Sequence, residues 1–493
     1  QAERGLFRAC RWPEDRGNMT GRLALLIDFG STFTKLRAVD LDAARILGAG
    51  QGPSTVATDI TLGLDAALGD LEARHGALPK FAHRLASSSA AGGLRMVTVG
   101  LVKELTAEAA RQAALGAGAK LVGAFAYRLT AADMQSIIDL APDMILLAGG
   151  TDGGNAEVIL HNAGTLAEAG LDCPIVVAGN REAADEALST LEAGGKPARK
   201  ADNVMPTFGE LSIEPARAAI RQIFIERIVH AKGIDKAADR LDAVLMPTPA
   251  AVMEGARLLS EGTKNRTGLG PLLVVDIGGA TTDVHSVAEG APSQSGVLVH
   301  GLPEPFVKRT VEGDLGVRHN AAAIVETVGA PELAAEARLD PEAVGAHLTR
   351  VTANVEQLPQ TADDAAFDAA LARAAVRVAV ARHAGTIRVM QTVSGPVLVQ
   401  SGKDLSNVTT VIGTGGPLAH GAAPASVLQA ALADSAEPMS LRPKQPALYV
   451  DSDYLLYAAG LLADVDPDAG FALASSSLRP VEEEVDYEQR WHG

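Results

Sequence analysis

Two short stretches of this sequence place a carboxylate, glycines and hydroxyls directly after an apolar run. The first is Asp28-Phe29-Gly30-Ser31-Thr32-Phe33-Thr34-Lys35, and the second is Asp276-Ile277-Gly278-Gly279-Ala280-Thr281-Thr282-Asp283. Glycine allows a tight turn, so that neighbouring N–H groups and hydroxyls can converge on a phosphate. A carboxylate there suits hydrated Mg²⁺, which prefers one or two carboxylates together with water and phosphate oxygens. The pattern predicts phosphate and magnesium chemistry at both turns.

The phosphate contacts are assigned to the backbone and hydroxyl groups of these turns. We expect them from Gly30, Ser31, Thr32, Thr34, Gly278, Gly279, Ala280 and Thr282. Neither stretch is a Walker A loop, because the Gly-x-x-x-x-Gly-Lys-Ser/Thr spacing is absent and strand-like sequence follows each turn.

A third glycine-rich stretch, Val411–Pro417, also follows an apolar run. A glycine pair allows the backbone to lie flat against a planar ligand, and proline is tolerated in the first turn of a following helix. The residues expected to contact that ligand are Gly413, Thr414, Gly415, Gly416 and Pro417. Each of the three stretches alone is more often an ordinary tight turn, and their order and spacing carry the prediction.

Apolar runs and glycine turns indicate the elements that position these residues. Residues 23–29 and 271–279 are each predicted to be a buried strand that ends in a glycine turn. The runs 143–154 and 173–180 repeat this design with a helical stretch between them. That order is typical of a βαβ unit in a parallel sheet. We therefore expect an inserted α/β domain.

The predicted organisation has seven parts. They are a disordered leader (1–21), a first-lobe core (22–86), an inserted α/β domain that completes the first lobe (87–240), a second-lobe core (241–300), a helical subdomain (301–400), a second-lobe core with the third glycine stretch (401–470) and an acidic tail (471–493).

Composition excludes several classes of protein. The formal net charge of −17 disfavours binding to nucleic acid or to an anionic membrane. The two cysteines, Cys10 and Cys173, do not make a disulfide framework, and no apolar run is long enough to span a bilayer. These features favour a cytoplasmic protein. The histidines show no metal-ligand spacing.

The order of the three stretches resembles that of the sugar kinase, Hsp70 and actin superfamily. The resemblance implies an α/β, two-lobed actin-like ATPase fold with ribonuclease H-like lobes. It also implies that ATP or ADP binds with Mg²⁺ in the cleft, with adenosine at 413–417. The stretch Met246–Gly255 resembles the connecting helix of Hsp70, and its partner helix is expected at 454–463, with Ala458, Ala459 and Gly460 on the contact face.

One position departs from the chaperones of that superfamily. In those chaperones an acid precedes the Pro-Thr pair and helps to arrange Mg²⁺ and the attacking water. In this chain Met246 occupies that position. Asp276 and Thr281 are then the candidates to position water, Asp28 and Asp276 to hold the metal shell, and Lys35 to reach a phosphate. We expect slow, switch-like turnover, and whether ATP is hydrolysed at all stays open.

A closer resemblance is to the MutL (GlmL) family, the glutamate mutase accessory proteins, which are unrelated to the mismatch-repair protein of the same short name. It covers about residues 22–465 and includes residues 87–97, 143–155, 310–318 and the three stretches above. The resemblance implies a partner, an adenosylcobalamin-dependent mutase, and a role as a reactivating chaperone. No Asp-x-His-x-x-Gly motif for cobalamin itself is present. The oligomeric state stays open.

Three alternatives remain at this point. The chain could be a small-molecule kinase of the same superfamily, for which Asp152 is a candidate base, a non-hydrolysing nucleotide-sensing scaffold, or a hydantoinase-like ATP-dependent enzyme. Three further stretches have ordinary turns as their simplest interpretation. They are Ser87–Gly93, the turn with Asp152 and Asn155, and Gly313–Arg318.

Overall fold

The computed structural model describes most of the chain as two compact units. The described residues are 22–30, 33–55, 59–88, 94–231, 241–393 and 395–481, with the backbone alone for 227–231 and 243–245. The first unit comprises residues up to Leu258 together with Leu456–Ser476, and the second comprises Leu259–Leu455 and the residues from Ser477 onward. The predicted leader, Ser31, Thr32, residues 89–93 and the end of the acidic tail lie outside the described residues.

The first unit contains a five-stranded sheet with the order β10-β4-β1-β2-β3. Its strands are β1 (Leu23–Phe29), β2 (Phe33–Asp40), β3 (Arg45–Pro53), β4 (His83–Ser88) and β10 (Ala243–Pro247). β1, β2 and β3 form an antiparallel meander, and β4 runs parallel to both β1 and β10. Helix α1 (Ile60–His75) lies so close to β3 that a Cβ on Gly50 would come 2.6 Å from the carbonyl oxygen of Ala67.

A second sheet of the first unit is entirely parallel, with the order β6-β5-β7-β8-β9. Its strands are β5 (Arg95–Gly100), β6 (Lys120–Ala126), β7 (Met144–Leu147), β8 (Ile175–Val177) and β9 (Ala198–Lys200). The accompanying helices are α2 (Glu108–Gly116), which follows a π-helical turn (Lys103–Ala107), α3 (Ala131–Leu140), α4 (Glu157–Glu168), α5 (Arg181–Ala193) and α6 (Glu214–Ala231). The predicted βαβ unit and parallel sheet are confirmed.

The main sheet of the second unit has the order β14-β12-β11-β17-β18-β19. Its strands are β11 (Leu272–Ile277), β12 (Thr282–Val287), β14 (Val307–Glu312), β17 (Thr410–Thr414), β18 (Ala447–Asp451) and β19 (Leu478–Pro480). The first five strands repeat the first sheet. β11–β12–β14 is antiparallel, and β17 runs parallel to β11 and β18. The two units therefore share one sheet topology, as the predicted fold class requires.

The rest of the second unit comprises helices and a small sheet. Helices α8 (Ala321–Val328), α9 (Ala330–Ala337), α10 (Ala343–Ala353) and α11 (Ala362–His383) lie within the predicted helical subdomain (301–400). That range also contains strands, at Val307–Glu312, Thr386–Thr392 and the beginning of Gly395–Ser401. Helices α12 (Gly416–Ala419) and α13 (Pro424–Gln429) follow β17. A three-stranded sheet has the order β13-β16-β15, formed by Val297–His300, Gly395–Ser401 and Thr386–Thr392. Helix α11 is buried against the main sheet through Phe367, Leu371 and Val376.

The structure changes several of the predicted boundaries. Residues from Leu456 to 470, predicted to lie in the second-lobe core, belong to the first unit. The predicted acidic tail from 471 begins within a helix (Pro467–Ser477) and includes β19 of the main sheet. β4 extends to Ser88 in the first sheet, so the inserted domain begins after this strand rather than at residue 87. β10 pairs with β4 in the same sheet, so residues from 243 to Leu258 belong to the first unit rather than to a second-lobe core that begins at 241. The reason is long-range strand pairing, which local sequence patterns do not reveal.

Two helices of the first unit cross in direct backbone contact. They are α7 (Thr248–Glu261) and α14 (Leu456–Leu462), and α15 (Pro467–Ser477) follows. A Cβ on Gly460 would come 1.9 Å from the carbonyl oxygen of Ala251, and one on Gly255 would come 2.1 Å from that of Leu456. The predicted close crossing of small residues is confirmed, although α14 begins at Leu456 rather than at Tyr454.

Candidate functional site

The first glycine turn connects β1 to β2 and is closed by its own backbone. The N–H of Gly30 donates to the carbonyl of Phe33 at 3.0 Å. A Cβ on Gly30 would come 2.7 Å from that oxygen, so this position requires glycine. Asp28 and Lys35 lie opposite each other in the antiparallel pair and therefore on the same face of the sheet. The predicted acid and lysine are thus brought together.

Two hydroxyl groups from distant parts of the sequence contact the Asp28 carboxylate. The Thr248 hydroxyl donates to its Oδ1 at 2.7 Å, and the Ser87 hydroxyl lies 3.4 Å from the same oxygen. Burial raises the pKa of the Asp28 carboxyl, while the Thr248 hydroxyl, the charge of Lys35 and the Ser87 hydroxyl act in the opposite direction. Asp28 is thus a partly buried carboxylate whose ionisation depends on its neighbours.

The second glycine turn, between β11 and β12, has the same design. The N–H of Gly278 donates to the carbonyl of Thr281 at 2.8 Å, and Asp276 lies opposite Asp283. The Thr281 hydroxyl donates to Asp283 at 3.1 Å. Arg309 holds the other oxygen of that carboxylate with two hydrogen bonds, of 2.5 and 2.9 Å. This turn therefore has a buried ion pair where the first has Lys35.

The segment Gly313–Asn320 holds the carbonyl groups of the second turn. Arg318 N–H and His319 N–H donate to the carbonyl of Gly279 at 3.0 and 2.8 Å, and Val317 N–H donates to that of Gly278 at 3.2 Å. The side-chain amide of Asn320 donates to the carbonyl of Ala280 at 2.7 Å.

A trans peptide directs its C=O and the following N–H to opposite sides. No peptide bond here is cis. The N–H groups of Gly279, Ala280 and Thr281 therefore point away from the segment 313–320. Successive N–H groups directed to one side form an anion-binding concavity. The second turn can thus receive a phosphate through its backbone.

The structure corrects the expectation for two hydroxyls. Thr34 lies opposite Phe29 and Thr282 opposite Ile277, so both threonines point to the face away from Asp28 and Asp276. Both are fully buried, and the Thr282 hydroxyl donates to the carbonyl of Leu315 at 2.7 Å. Side chains alternate along a strand, so these hydroxyls serve packing and only their backbones remain near the turns.

The third glycine stretch lies on the strand next to the second turn. β17 runs parallel to β11 with Thr414 beside Asp276, and α12 then begins at Gly416 with Pro417 in its first turn, as predicted. Gly415 has a φ of +99°, and a Cβ there would come 2.2 Å from the carbonyl oxygen of Ile277. The second turn and the glycine pair therefore belong to one continuous sheet edge of the second unit.

The two sheets carry corresponding rows of side chains. In the first unit Asp28 pairs with Ser87, and Ser87 pairs with Met246. In the second unit Asp276 pairs with Thr414, whose hydroxyl lies 3.5 Å from Asp451. The position of Met246, which is 3% exposed, thus corresponds to the buried Asp451 of the other sheet.

Four contributing residues escaped prediction. Thr248 lies in the stretch expected to form a connecting helix, and its hydroxyl donates to Asp28. Asp451 accepts the Leu455 N–H at 2.9 Å and also a hydrogen bond from the Ser477 hydroxyl. Tyr454, with a φ of +55°, lies beside Gly416 and 5.7 Å from the His420 ring. The only signal in the sequence for a role of Asn320 is its position shortly after Gly313–Arg318.

The candidate base Asp152 has a structural role in the parallel sheet. One of its oxygens accepts the Arg181 N–H at 3.0 Å and the Asn203 side-chain amide at 2.9 Å. The amide of Asn203 also donates to the carbonyl of Gly150 at 3.0 Å. Asp152 thus fixes its own glycine turn, which supports the interpretation as turn chemistry.

The donor set near the turns fits a hydrated magnesium ion better than a caged metal. Within the described parts of the chain, no group of three or more His, Cys, Asp or Glu side chains could hold a metal ion. Mg²⁺ usually keeps several waters and takes only one or two carboxylates together with phosphate oxygens. Asp28 and Asp276 each offer one such carboxylate.

The duplicated sheets, each with an acid-glycine turn between its first two strands, define an α/β fold of the actin-like ATPase class. The chain matches the family model described as MutL protein over residues 24–478 and belongs to this family. A curated relative, Protein MutL of Clostridium tetanomorphum, is 48% identical over 458 residues, which cover 92% of this chain and 98% of the relative. The family predicted from the motifs is thereby confirmed.

Similarities to solved structures are distant. An acetone carboxylase in its nucleotide-free state is 17% identical, with 92% of this chain and 70% of that chain covered and a TM-score of 0.36. Xylulose kinase of Bifidobacterium adolescentis is 14% identical, with 93% and 94% covered and a TM-score of 0.31. Among the described residues, no helix is both long and apolar enough to cross a membrane.

Proposed function

We propose that this chain binds ATP with Mg²⁺ and acts as an accessory protein that helps to reactivate an adenosylcobalamin-dependent mutase. The observation that carries the nucleotide part is the second glycine turn. There the segment 313–320 directs three backbone N–H groups to one side, next to the Asp276 strand end. Family membership supports the mutase as the partner.

In the second unit, the N–H groups of Gly279, Ala280 and Thr281 would donate to phosphate oxygens, and Asp276 would help to hold hydrated Mg²⁺. Gly415 and Gly416 let the backbone approach the adenosine. When bound, Mg²⁺ neutralises phosphate charge and so assists attack at phosphorus.

In the first unit, Asp28 and Lys35 lie opposite each other and would take the corresponding roles toward Mg²⁺ and phosphate. Met246 supplies no carboxylate to orient an attacking water, so we propose slow hydrolysis that switches the protein between an ATP and an ADP state. A partner that prefers one state is released by the other, and a tenfold difference in affinity needs only about 1.4 kcal/mol.

Isothermal titration calorimetry with ATP and Mg²⁺ tests the nucleotide part. We expect Mg²⁺-dependent binding that the double change Asp28→Asn with Asp276→Asn abolishes. Thr281→Ala should lower turnover more than affinity, because its hydroxyl supports Asp283 while its backbone N–H remains. Unchanged affinity in the double variant would contradict the site, provided that circular dichroism shows a folded protein.

A second experiment tests the partner. The mutase inactivated during turnover is incubated with this chain, free adenosylcobalamin, and ATP or ADP. We expect activity to recover with ATP and Mg²⁺ and not with the Asp276→Asn variant. If ATP binds but mutase activity does not recover, the nucleotide site is supported and the reactivating role is overturned. ATP-dependent phosphorylation of a small molecule would favour the kinase alternative instead.

A further inference from the structure

The parallel sheet of the first unit has a point at which its strand order reverses. From β5 the chain continues to β6 on one side of that strand and then to β7 on its other side. The order β6-β5-β7-β8-β9 is that of a doubly wound sheet, in which ligands bind in the crevice at the carboxyl ends of the two strands where the order reverses. Here these strands are β5 and β7. Neither Asp28 nor Asp276 belongs to this sheet.

The turn after β7 directs two backbone N–H groups toward the β5 side of this crevice. The carbonyl of Gly149 accepts the Asn180 N–H at 2.9 Å, and the carbonyl of Gly150 accepts the Asn203 side-chain amide at 3.0 Å. Asn180 follows β8 and Asn203 follows β9, on the side of β7 away from β5. A trans peptide directs its C=O and the following N–H to opposite sides. The N–H groups of Gly150 and Thr151 therefore face β5.

Neither of these two N–H groups has a hydrogen-bond partner among the described residues. Gly150 is nevertheless buried. Buried N–H groups are nearly always paired, and successive N–H groups directed to one side form an anion-binding concavity. The Asp152 carboxylate leaves this side open, because the Asn203 amide holds one of its oxygens on the other side of the turn. The turn can therefore receive an anion between the ends of β5 and β7.

Tyr127, just after β6, is held at the same edge in a strained backbone conformation. Its φ of +69° is unfavourable for an aromatic residue. Its N–H donates to the carbonyls of Gly100 and Leu101 at 3.0 and 3.2 Å, and its own carbonyl accepts the amide of the buried Asn162 at 2.9 Å. These contacts fix the backbone and leave the side chain 59% exposed. Strain that the surroundings enforce in this way is typical of ligand clamps.

The loop that carries Tyr127 lies next to the turn that carries the two N–H groups. A Cβ on Gly149 would come 3.5 Å from the backbone nitrogen of Leu101, whose carbonyl accepts the Tyr127 N–H. Lys103 follows two residues later and is exposed, so it adds a positive charge near the end of β5. The crevice thus combines N–H donors, a cation and an exposed aromatic ring.

We propose that this crevice binds a nucleotide, with a phosphate group on the N–H groups of Gly150 and Thr151 and the base against the ring of Tyr127. Concavities of backbone N–H groups hold phosphates, and bases stack on aromatic side chains. The site goes beyond the proposed function, because it uses neither Mg²⁺ nor the carboxylates of Asp28 and Asp276.

Isothermal titration calorimetry of the full chain in EDTA tests the proposal, with AMP and GMP as probes. Chelation of Mg²⁺ keeps the proposed Mg²⁺–ATP site unfilled, so the heat reports on the crevice. We expect saturable binding of one nucleotide per chain. A wild type that binds neither probe would overturn this proposal and leave the proposed function standing. Binding in EDTA without any Mg²⁺-dependent ATP binding would support the crevice and overturn the nucleotide part of the proposed function.

The Tyr127→Gly change removes the ring and also the backbone strain, since glycine adopts a positive φ without steric cost. We expect at least tenfold weaker nucleotide binding in EDTA, together with a melting temperature that is unchanged or higher. The matched control Tyr127→Phe keeps the ring and should bind as well as the wild type. Wild-type affinity in Tyr127→Gly would overturn the proposal.

Hydrogen exchange with mass spectrometry locates the phosphate contact. The N–H groups of Gly150 and Thr151 should exchange more slowly when AMP is bound in EDTA, so peptides that span residues 148–155 should gain protection. Peptides that span the second glycine turn, 276–283, should not. Protection at 276–283 without protection at 148–155 would exclude the crevice as the site.

Discussion

At the scale of single residues, Asp28 shows how a distant hydroxyl can control a carboxylate. The Thr248 hydroxyl lies 220 positions along the chain and donates to Asp28 at 2.7 Å. Burial raises the pKa of Asp28, and this hydrogen bond counteracts the rise by stabilising the charged form. Thr248 therefore helps to keep Asp28 ionised, as the proposed role of this carboxylate toward Mg²⁺ requires.

The Thr248→Val change tests this role. Without the hydroxyl the pKa of Asp28 should rise further, so Mg²⁺-dependent ATP binding should require a higher pH than in the wild type. The pH profile of ATP affinity measures the shift, and Thr248→Ser should retain the wild-type profile. Identical profiles for the valine and serine variants would show that Thr248 does not govern Asp28.

At the scale of elements, glycines set how closely backbones approach. In the helix crossing of the first unit, Gly460 of α14 leaves no room for a Cβ beside the carbonyl of Ala251 on α7. In the second unit, the segment 313–320 holds the glycine turn through carbonyl contacts. Both features fix backbone geometry and need no catalytic side chain.

The Gly460→Ala change should lower the free energy of unfolding by about 1–3 kcal/mol, since overpacking forces the two helices apart. Chemical denaturation measures the loss. Gly69→Ala is the matched control, because Gly69 lies in α1 of the same unit with nothing within 4 Å of the added Cβ. The Gly69→Ala change should leave the free energy of unfolding unchanged or raise it by up to about 1 kcal/mol. Equal effects of the two changes would contradict the close crossing.

The Asn320→Asp change tests the segment that holds the second turn. A carboxylate cannot donate to the carbonyls of Ala280 and Gly313, which Asn320 bonds at 2.7 and 2.9 Å. We expect about ten- to hundredfold weaker ATP binding, with the fold retained. Titration calorimetry measures this, and the exposed Asn354→Asp provides a control of equal charge change. An ATP affinity of Asn320→Asp equal to that of the wild type would show that the segment 313–320 does not support the nucleotide site.

At the scale of the whole molecule, one sheet topology occurs twice, and each copy buries its own polar groups. His285 lies on β12 of the second unit, 1% exposed, and neither ring nitrogen has a hydrogen-bond partner in the described structure. Burial, together with the positive charge of Arg309, lowers its pKa to about 3 from an ordinary 6.5. This histidine is therefore neutral in the folded protein at neutral pH.

Stability should consequently fall in mild acid. Below pH 6.5 the unfolded chain protonates His285 while the folded chain does not until pH approaches 3, so this contribution is complete above 6.5 and is lost as the pH falls. Between pH 7 and pH 5, the free energy of unfolding of His285→Leu should therefore fall by about 2 kcal/mol less than that of the wild type.

Urea unfolding of wild type and variant at both pH values measures that difference, since other titrating groups contribute equally to the two proteins. His161→Gln is the control, because His161 is exposed. A pH dependence of unfolding that is the same for His285→Leu and wild type would contradict the assignment.

The sequence by itself determined the features that depend on neighbouring residues. Apolar runs followed by an acid and glycine predicted both hairpins, the strand and helix start around Gly415, and the parallel sheet, because strand periodicity and glycine turns are local properties. The same motifs identified the family. The packing of α7 against α14 was expected from the resemblance of Met246–Gly255 to the connecting helix of Hsp70.

Only the tertiary structure decided which groups meet. Pairing of β10 with β4 brings Met246 into the first sheet and places Thr248, at the start of α7, beside Ser87. The two hydroxyl groups lie 3.2 Å apart although the residues are 161 positions apart in the sequence, and no local pattern encodes such a partner. The contact of Asn320 with the second turn likewise depends on the intervening strand β14. Burial and hydrogen-bond geometry are properties of the folded chain, since each depends on residues that are adjacent only after strands and helices have packed.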